Sequence, residues 1–226
     1  SFVLHQPLGG VLAVMPWNFP FWQVFRFAAP AVMAGNVGVL KHASNVPQCS
    51  EAIEEIFVES GFPKGVFQSL LINSDRIEQV ISHRSIAAVT LTGSEKAGSA
   101  VASLAGKYIK KSVLELGGSD PFLVLEDADL DIAVDKAITS RMMNSGQSCI
   151  AAKRFIVVDK VYDDFREKVL RKIENLKIGD QMNPENDIGP MARPDLAQEL
   201  WEQVEKSVSK GAEVVIIGKK PEKGSA

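Results

Sequence analysis

Short apolar runs alternate with amphipathic stretches along the first half of the chain. Gly10 to Met15, Val37 to Leu40, Val66 to Ile72, Ala87 to Leu91 and Ser112 to Leu116 are runs rich in aliphatic residues, bounded by glycine, proline or polar clusters. That pattern predicts strands buried on both faces. Between them, Phe21 to Gly35, Pro47 to Ser60, Ser74 to His83 and Ser94 to Gly106 have the periodicity of helices. Strands of this kind joined by helices imply a mostly parallel sheet with right-handed crossovers, a Rossmann-like, doubly wound α/β domain. Ligands of such sheets bind beyond the carboxyl ends of the strands, where Asn18, Lys41, Gly93 and Glu115 all fall.

The second half opens with a predicted strand, Phe122 to Leu125, and an Asp127-Ala128-Asp129 turn suited to capping a helix that runs towards Asn144. After Cys149 come a strand over Phe155 to Val158 and amphipathic helices over Tyr162 to Leu176 and Asp195 to Lys210. Gly117-Gly118 permits a sharp reversal, so the boundary is expected there, with residues 1–116 in one α/β unit and 117–226 opening a second. The two ends also read as strands, Ser1 to His5 at one and Val214 to Ile217, just before Gly218-Lys219-Lys220, at the other. A chain that starts and stops in this way reads as part of a longer one.

Composition narrows the function classes. A chain of 226 residues with 46% hydrophobic content and ordinary charge is that of a soluble globular protein. A net charge of −3, with lysines spread over several segments, predicts no nucleic-acid partner. Phe19 to Leu40 is apolar, but Gln23, Arg26, Asn36 and two prolines interrupt it, so a buried, kinked helix is expected rather than a membrane span. With two cysteines, no disulfide or metal-ligand spacing and no secretory signal, a reducing, cytoplasmic setting is expected, and no metal.

One of those cysteines, Cys149, follows a small polar turn, Asn144-Ser145-Gly146-Gln147-Ser148. A buried cysteine is usually an inert small hydrophobe, and Cys49, after Pro47-Gln48, fits that description. The setting of Cys149 does not, and it reads as a nucleophile. Glu115 closes an apolar strand as a candidate general base, and Asn18, in Pro16-Trp17-Asn18-Phe19-Pro20, is a candidate oxyanion donor. A base at such a strand end would be costly to bury charged, which suits work near neutrality.

Five motifs in order carry a resemblance: Pro16-Trp17-Asn18-Phe19-Pro20, Leu40-Lys41-His42-Ala43-Ser44, Thr92-Gly93-Ser94, Leu114-Glu115-Leu116-Gly117-Gly118 and Gly146-Gln147-Ser148-Cys149. The chain is similar along essentially its whole length to the NAD(P)-dependent aldehyde dehydrogenases. Leu116-Gly117-Gly118-Ser119-Asp120-Pro121-Phe122 and Ala151-Ala152-Lys153-Arg154-Phe155 most resemble the bacterial succinate-semialdehyde dehydrogenases. The resemblance implies oxidation of an aldehyde, with succinic semialdehyde expected, through a thiohemiacetal and then a thioester on Cys149. The Asn18 side chain and the Cys149 backbone N–H would hold the oxyanion, and Glu115 would activate the deacylating water. It also implies that residues 1–116 belong to a dinucleotide-binding domain and 117–226 to a catalytic domain. This stretch corresponds to the central half of such proteins, which continue to a glutamate that holds the nicotinamide ribose and are homo-oligomeric.

By the same resemblance NAD or NADP would lie along Trp17, Asn18, Lys41, His42, Ala43, Ser44, Gly93, Ser94 and Leu116, with Ser94 on the pyrophosphate and Lys41 on a ribose hydroxyl. The isolated residues His5, His42 and His83 indicate no chemistry of their own. Ser44 stands where NAD-preferring relatives often carry an acid; a small neutral residue leaves room for a 2′-phosphate, so NADP is expected to be accepted. Arg26 would grip the substrate's distal carboxylate. Some similar enzymes add a second arginine ahead of the cysteine, where this chain has Met143. Two other readings stand beside this one. A thiol hydrolase of the amidase or nitrilase kind would use Cys149, Glu115 and Lys41 but leaves Trp17, Gly93 and Ser94 unexplained, and an inactive dinucleotide-binding fragment would bind cofactor without turnover.

Overall fold

The computed structural model describes residues 1–218. It divides into two compact units, Ser1–Gly117 and the chain from Gly118 onward. The first is a five-stranded parallel sheet in the order β3-β2-β1-β4-β5, from β1 (Gly10–Met15), β2 (Val37–His42), β3 (Phe67–Ser69), β4 (Ile86–Thr92) and β5 (Lys111–Glu115). Its helices are α1 (Pro20–Met33), α2 (Pro47–Glu59), α3 (Ile77–Ser82) and α4 (Glu95–Lys107). β1 lies in the middle because it is apolar on both faces. Leu12 joins Val89 and Leu91 against Ile77 and Ile81 of α3 and Val101 and Ala105 of α4. Its neighbour Ala13 points the other way, with Met15 and Leu40, against Val24 and Ala28 of α1 and Ile53 and Phe57 of α2. Each such large side chain contributes about 1.5–3 kcal/mol on burial, so the alternation along β1 binds both layers to one strand.

The coverage is unequal. α1 and α2 lie over the β3-β2-β1 side of their face, whereas Val113 of β5 is 61% exposed. Beside α1 the sheet therefore leaves an open groove, floored by Val11, Ala88, Thr90 and Val113 and walled by Gln23, Arg26 and Phe27.

In the second unit β6 (Asp120–Val124) pairs in parallel with β7 (Ala152–Val157). α5 (Leu130–Met142), α6 (Asp159–Glu174) and α7 (Pro194–Ser209) complete it. Val124, Val134, Ala137, Ile138 and Phe165 form its core, and Phe155 meets Phe122 edge-on at 5.7 Å. Asp129 caps α5 as its position before the apolar run suggests, its carboxylate accepting from the N–H groups of Asp131 and Ile132.

Several expected elements change. The run Val66 to Ile72 shrinks to β3, because only Gly38 to Leu40 of β2 offers it a ladder. Ser74 to His83 splits into a 3₁₀ turn, Ser74–Arg76, and the short α3. The helix expected to be buried around Pro30 hides only one stripe, and Trp22 (66%) and Met33 (89%) are exposed. Among the described residues neither terminal strand forms. Both edges of β1 are taken by β2 and β4, and Phe2 to Leu4 stay exposed without a partner. Val214 to Ile217 has no ladder either; Val215 to Ile217 line an apolar groove with Leu170, Ile173 and Ile188. Lys219 and Lys220 lie outside the described residues. Among the described residues no helix is long and apolar enough to cross a membrane, and no acidic, histidine or cysteine cluster could hold a metal.

Candidate active site

Parallel strands deliver their carboxyl ends to one edge, and in the first unit that edge collects the expected polar residues. β1 runs out into Trp17 and Asn18, β2 into Lys41 to Ser44, β4 into Gly93 and Ser94, and β5 into Glu115. The Asn18 side-chain oxygen accepts the Phe19 N–H at 3.1 Å, which commits the acceptor end of the amide to the main chain. Lys41 is partly buried, and burial pushes its pKa down.

His42 lies at the same edge, and its side chain is engaged within the protein. Its ring is buried, with Nδ1 accepting the Ala43 N–H at 2.9 Å and Nε2 lying 3.1 Å from the Pro20 carbonyl. A neutral ring protonated on Nε2 satisfies both bonds. Burial first, and the nearby Lys41 charge to a lesser degree, hold its pKa below the usual histidine value against the opposing backbone bonds. In that tautomer the ring straps the end of β2 to the start of α1.

Ser94 caps α4, its hydroxyl accepting the Ala97 N–H at 3.2 Å. α4 sits close on β5: a Cβ at Gly98 would fall 2.5 Å from Leu116 Cδ2. A glycine there lets the helix approach, so that its N-terminus reaches the sheet edge. At Gly93 an added Cβ would meet nothing nearer than Leu91 Cδ2 at 3.6 Å, so space is open above the strand end. First-turn amides beside an open glycine, with a lysine and a serine on the next strand but one, are donors of the kind a dinucleotide's phosphates and ribose require. The residues present fit such a group.

The groove beside α1 holds a charged pair of the first unit. Arg26 Nη2 and Glu115 Oε1 lie 3.0 Å apart, with side chains 44% and 52% exposed. The burial expected of Glu115 is absent, and its charge is met by a guanidinium instead. A pair so exposed is typically worth about 0.2–1 kcal/mol. Gln23, one turn before Arg26, is only 4% exposed and lines the same groove, and its side-chain Oε1 has no hydrogen-bond partner among the described residues.

In the second unit Cys149 follows a strained turn. Asn144 and Ser145 have φ of 53° and 54°, and Gly146 follows at 76°. Left-handed backbone at non-glycine residues is costly and persists only where surroundings enforce it. The enforcing bonds are visible. Ser145 Oγ donates to the Gly189 carbonyl at 2.9 Å, the Ala192 N–H to Gln147 Oε1 at 2.9 Å, and Arg141 Nη1 to the Gly146 carbonyl at 3.1 Å. Downstream, Lys153 Nζ donates to the Cys149 carbonyl at 2.7 Å. Cys149 is half-buried and free.

Sequence reasoning missed Gln23, Arg141 and Lys153. Gln23 carried a signal, a lone amide on the apolar stripe of a helix one turn from the candidate arginine. Arg141 and Lys153 carried none, since an arginine ending a helix and a lysine in a strand read as solvated charges.

The aldehyde dehydrogenase family model matches residues 1–226. A probable NADP(+)-dependent succinate-semialdehyde dehydrogenase of Synechocystis is 59% identical over 212 residues, covering 94% of this chain and 47% of that protein. A succinate-semialdehyde dehydrogenase [NADP(+)] of Mycobacterium leprae is 53% identical over 219 residues, 97% of this chain and 48% of its own length. The crystal structure of succinic semialdehyde dehydrogenase from Streptococcus pyogenes in complex with NADP+ superposes with a TM-score of 0.93 at 40% identity, over 97% of this chain and 48% of that one. The chain spans about half the length of the relatives it matches.

Proposed function

The chain belongs to the aldehyde dehydrogenase family, and from that premise we propose that it is the central part of an enzyme oxidising succinic semialdehyde to succinate with NADP+. One observation carries the reading: β2, β1, β4 and β5, adjacent in the parallel sheet, bring Lys41, Asn18, Ser94 and Glu115 to one carboxyl edge, a set suited to ribose, oxyanion, phosphate and base. Trp17, Lys41, Ser44 and the amides at Ser94 would hold the dinucleotide, which when bound supplies the hydride acceptor. Ser44 adds no negative charge beside a 2′-phosphate, in keeping with the NADP+ in the names of the relatives.

In this mechanism the Cys149 thiolate attacks the aldehyde carbon. Asn18 Nδ2 and the Cys149 N–H donate to the resulting oxyanion, and such a donor is worth about a hundred- to a thousandfold in rate. The thiohemiacetal loses its hydride and leaves a thioester on Cys149. Glu115 takes a proton from the water that opens the thioester, the C–S bond breaks, and the thiolate is restored. Arg26, on the groove wall, meets the distal carboxylate, and the apolar floor accepts the methylenes.

The test is semialdehyde-dependent reduction of NADP+ by a full-length protein carrying this sequence, with a neutral aldehyde and a short amide as alternatives. Amide hydrolysis without nicotinamide reduction would replace this reading with a thiol hydrolase.

A further inference from the structure

Arg26 is asked to do two things. The proposed mechanism gives it to the substrate's carboxylate, but in the structure its guanidinium is held by Glu115, the residue given the task of taking a proton from water. It cannot serve both at once in full. A carboxylate oxygen engaged by a guanidinium at 3.0 Å is occupied by that partner and is not open to a water molecule. The pair is half-exposed and therefore weak enough to be exchanged.

The groove around it is prepared for a second polar guest. Thr92 pairs with Glu115 in the β4–β5 ladder and also lines the groove, so the polar end lies at the sheet's carboxyl edge, while Val11, Ala88 and Val113 make the rest apolar. Gln23 places a buried, unpartnered amide oxygen one helical turn from Arg26. A buried amide oxygen without a partner is costly, and a guest carboxylate would let the amide, turned over, donate beside the guanidinium.

We propose that Arg26 serves two carboxylates in turn. In the resting protein it holds Glu115; an incoming semialdehyde offers its own carboxylate to Arg26 and Gln23, and Glu115 is released to act as base. The substrate's charged tail thereby switches on the deacylation of its own thioester: water's oxygen bonds to the acyl carbon, its proton goes to Glu115, and the C–S bond breaks to return the Cys149 thiolate. A neutral aldehyde, unable to displace Glu115, would acylate Cys149 and then stall. The inference rests on the proposed dehydrogenase reading and adds to it a specificity exerted at the second half-reaction.

Rapid-mixing kinetics on the full-length enzyme test it. With butanal, the wild type should give a burst of NADPH and then a slow steady state; with succinic semialdehyde the burst should be absent or small. Acetate added to the butanal reaction, as a carboxylate in trans, should raise the steady-state rate several-fold, a measurement that needs no variant. Arg26→Leu and the milder Arg26→Gln should raise the butanal steady-state rate while raising KM for the semialdehyde, with cofactor binding checked to show that each variant is folded. The inference is overturned if acetate has no effect, or if both variants lose turnover on butanal as well. Failure of every aldehyde to reduce NADP+ would instead remove the dehydrogenase reading, and this inference with it.

Discussion

Lys153 Nζ lies 2.7 Å from the main-chain oxygen of Cys149, so a charged side chain of β7 grips the proposed nucleophile by its backbone rather than by its thiol. Together with the bonds from Ser145, Gln147 and Arg141 it closes the turn on both sides of the cysteine. A charge-assisted hydrogen bond contributes about 1.5–3 kcal/mol, and a misplacement of about 1 Å in a reacting atom can cost a hundredfold. Lys153→Met is therefore expected to lower the single-turnover rate of NADPH formation about tenfold or more with NADP+ affinity unchanged. Lys153→Arg should recover part of the loss. An unchanged single-turnover rate in the methionine variant would show that the turn holds without this bond.

Glu115→Gln and Cys149→Ala separate the two halves of the reaction. The glutamine variant should keep a burst of NADPH and lose steady-state turnover, since an amide cannot take the water's proton. The alanine variant should show neither phase yet bind cofactor within a few-fold of wild type. A normal steady state in the first, or turnover in the second, would reassign the residue concerned.

Ser44→Glu should move cofactor preference from NADP towards NAD, because a carboxylate beyond β2 accepts a ribose hydroxyl but repels a 2′-phosphate. The ratio of kcat/KM for the two cofactors reads this directly. A ratio that stays put would mean that the 2′-phosphate lies elsewhere.

His42 should make the fold acid-sensitive. Burial holds its folded pKa below the ordinary histidine value of about 6.5. As pH falls through the unfolded value, the unfolded ring takes up a proton that the folded ring refuses, so stability is lost below about pH 6.5 and is complete above it. Thermal unfolding between pH 8 and pH 5 should show His42→Asn starting from a lower Tm but falling less steeply than wild type. Parallel curves would exclude the strap from this sensitivity.

How much of this was legible beforehand depends on the range of the forces involved. The strands of the first unit could be read because a parallel strand buried on both faces must be apolar at every position, as Leu12 and Ala13 show by facing opposite layers. The helices followed from one-sided periodicity and the cap at Asp129 from its place before an apolar run, and five ordered motifs were enough to name a family. All of these are local patterns along the chain. Tertiary structure alone decided what depends on neighbours distant in sequence. Ser1 to His5 and Val214 to Ile217 have strand-like composition but no ladder to join among the described residues, and hydrogen bonds to a neighbouring strand, not composition, make a strand. The His42 ring, given no chemistry of its own from the sequence, became a strap because Pro20 and Ala43 meet it at the sheet edge. Glu115, expected to be buried at the end of an apolar strand, is exposed and paired because β5 is left uncovered beside α1 and Arg26 reaches across the gap. Charge pairing is set by distance in space, and the chain separation of Arg26 and Glu115 carries no trace of it.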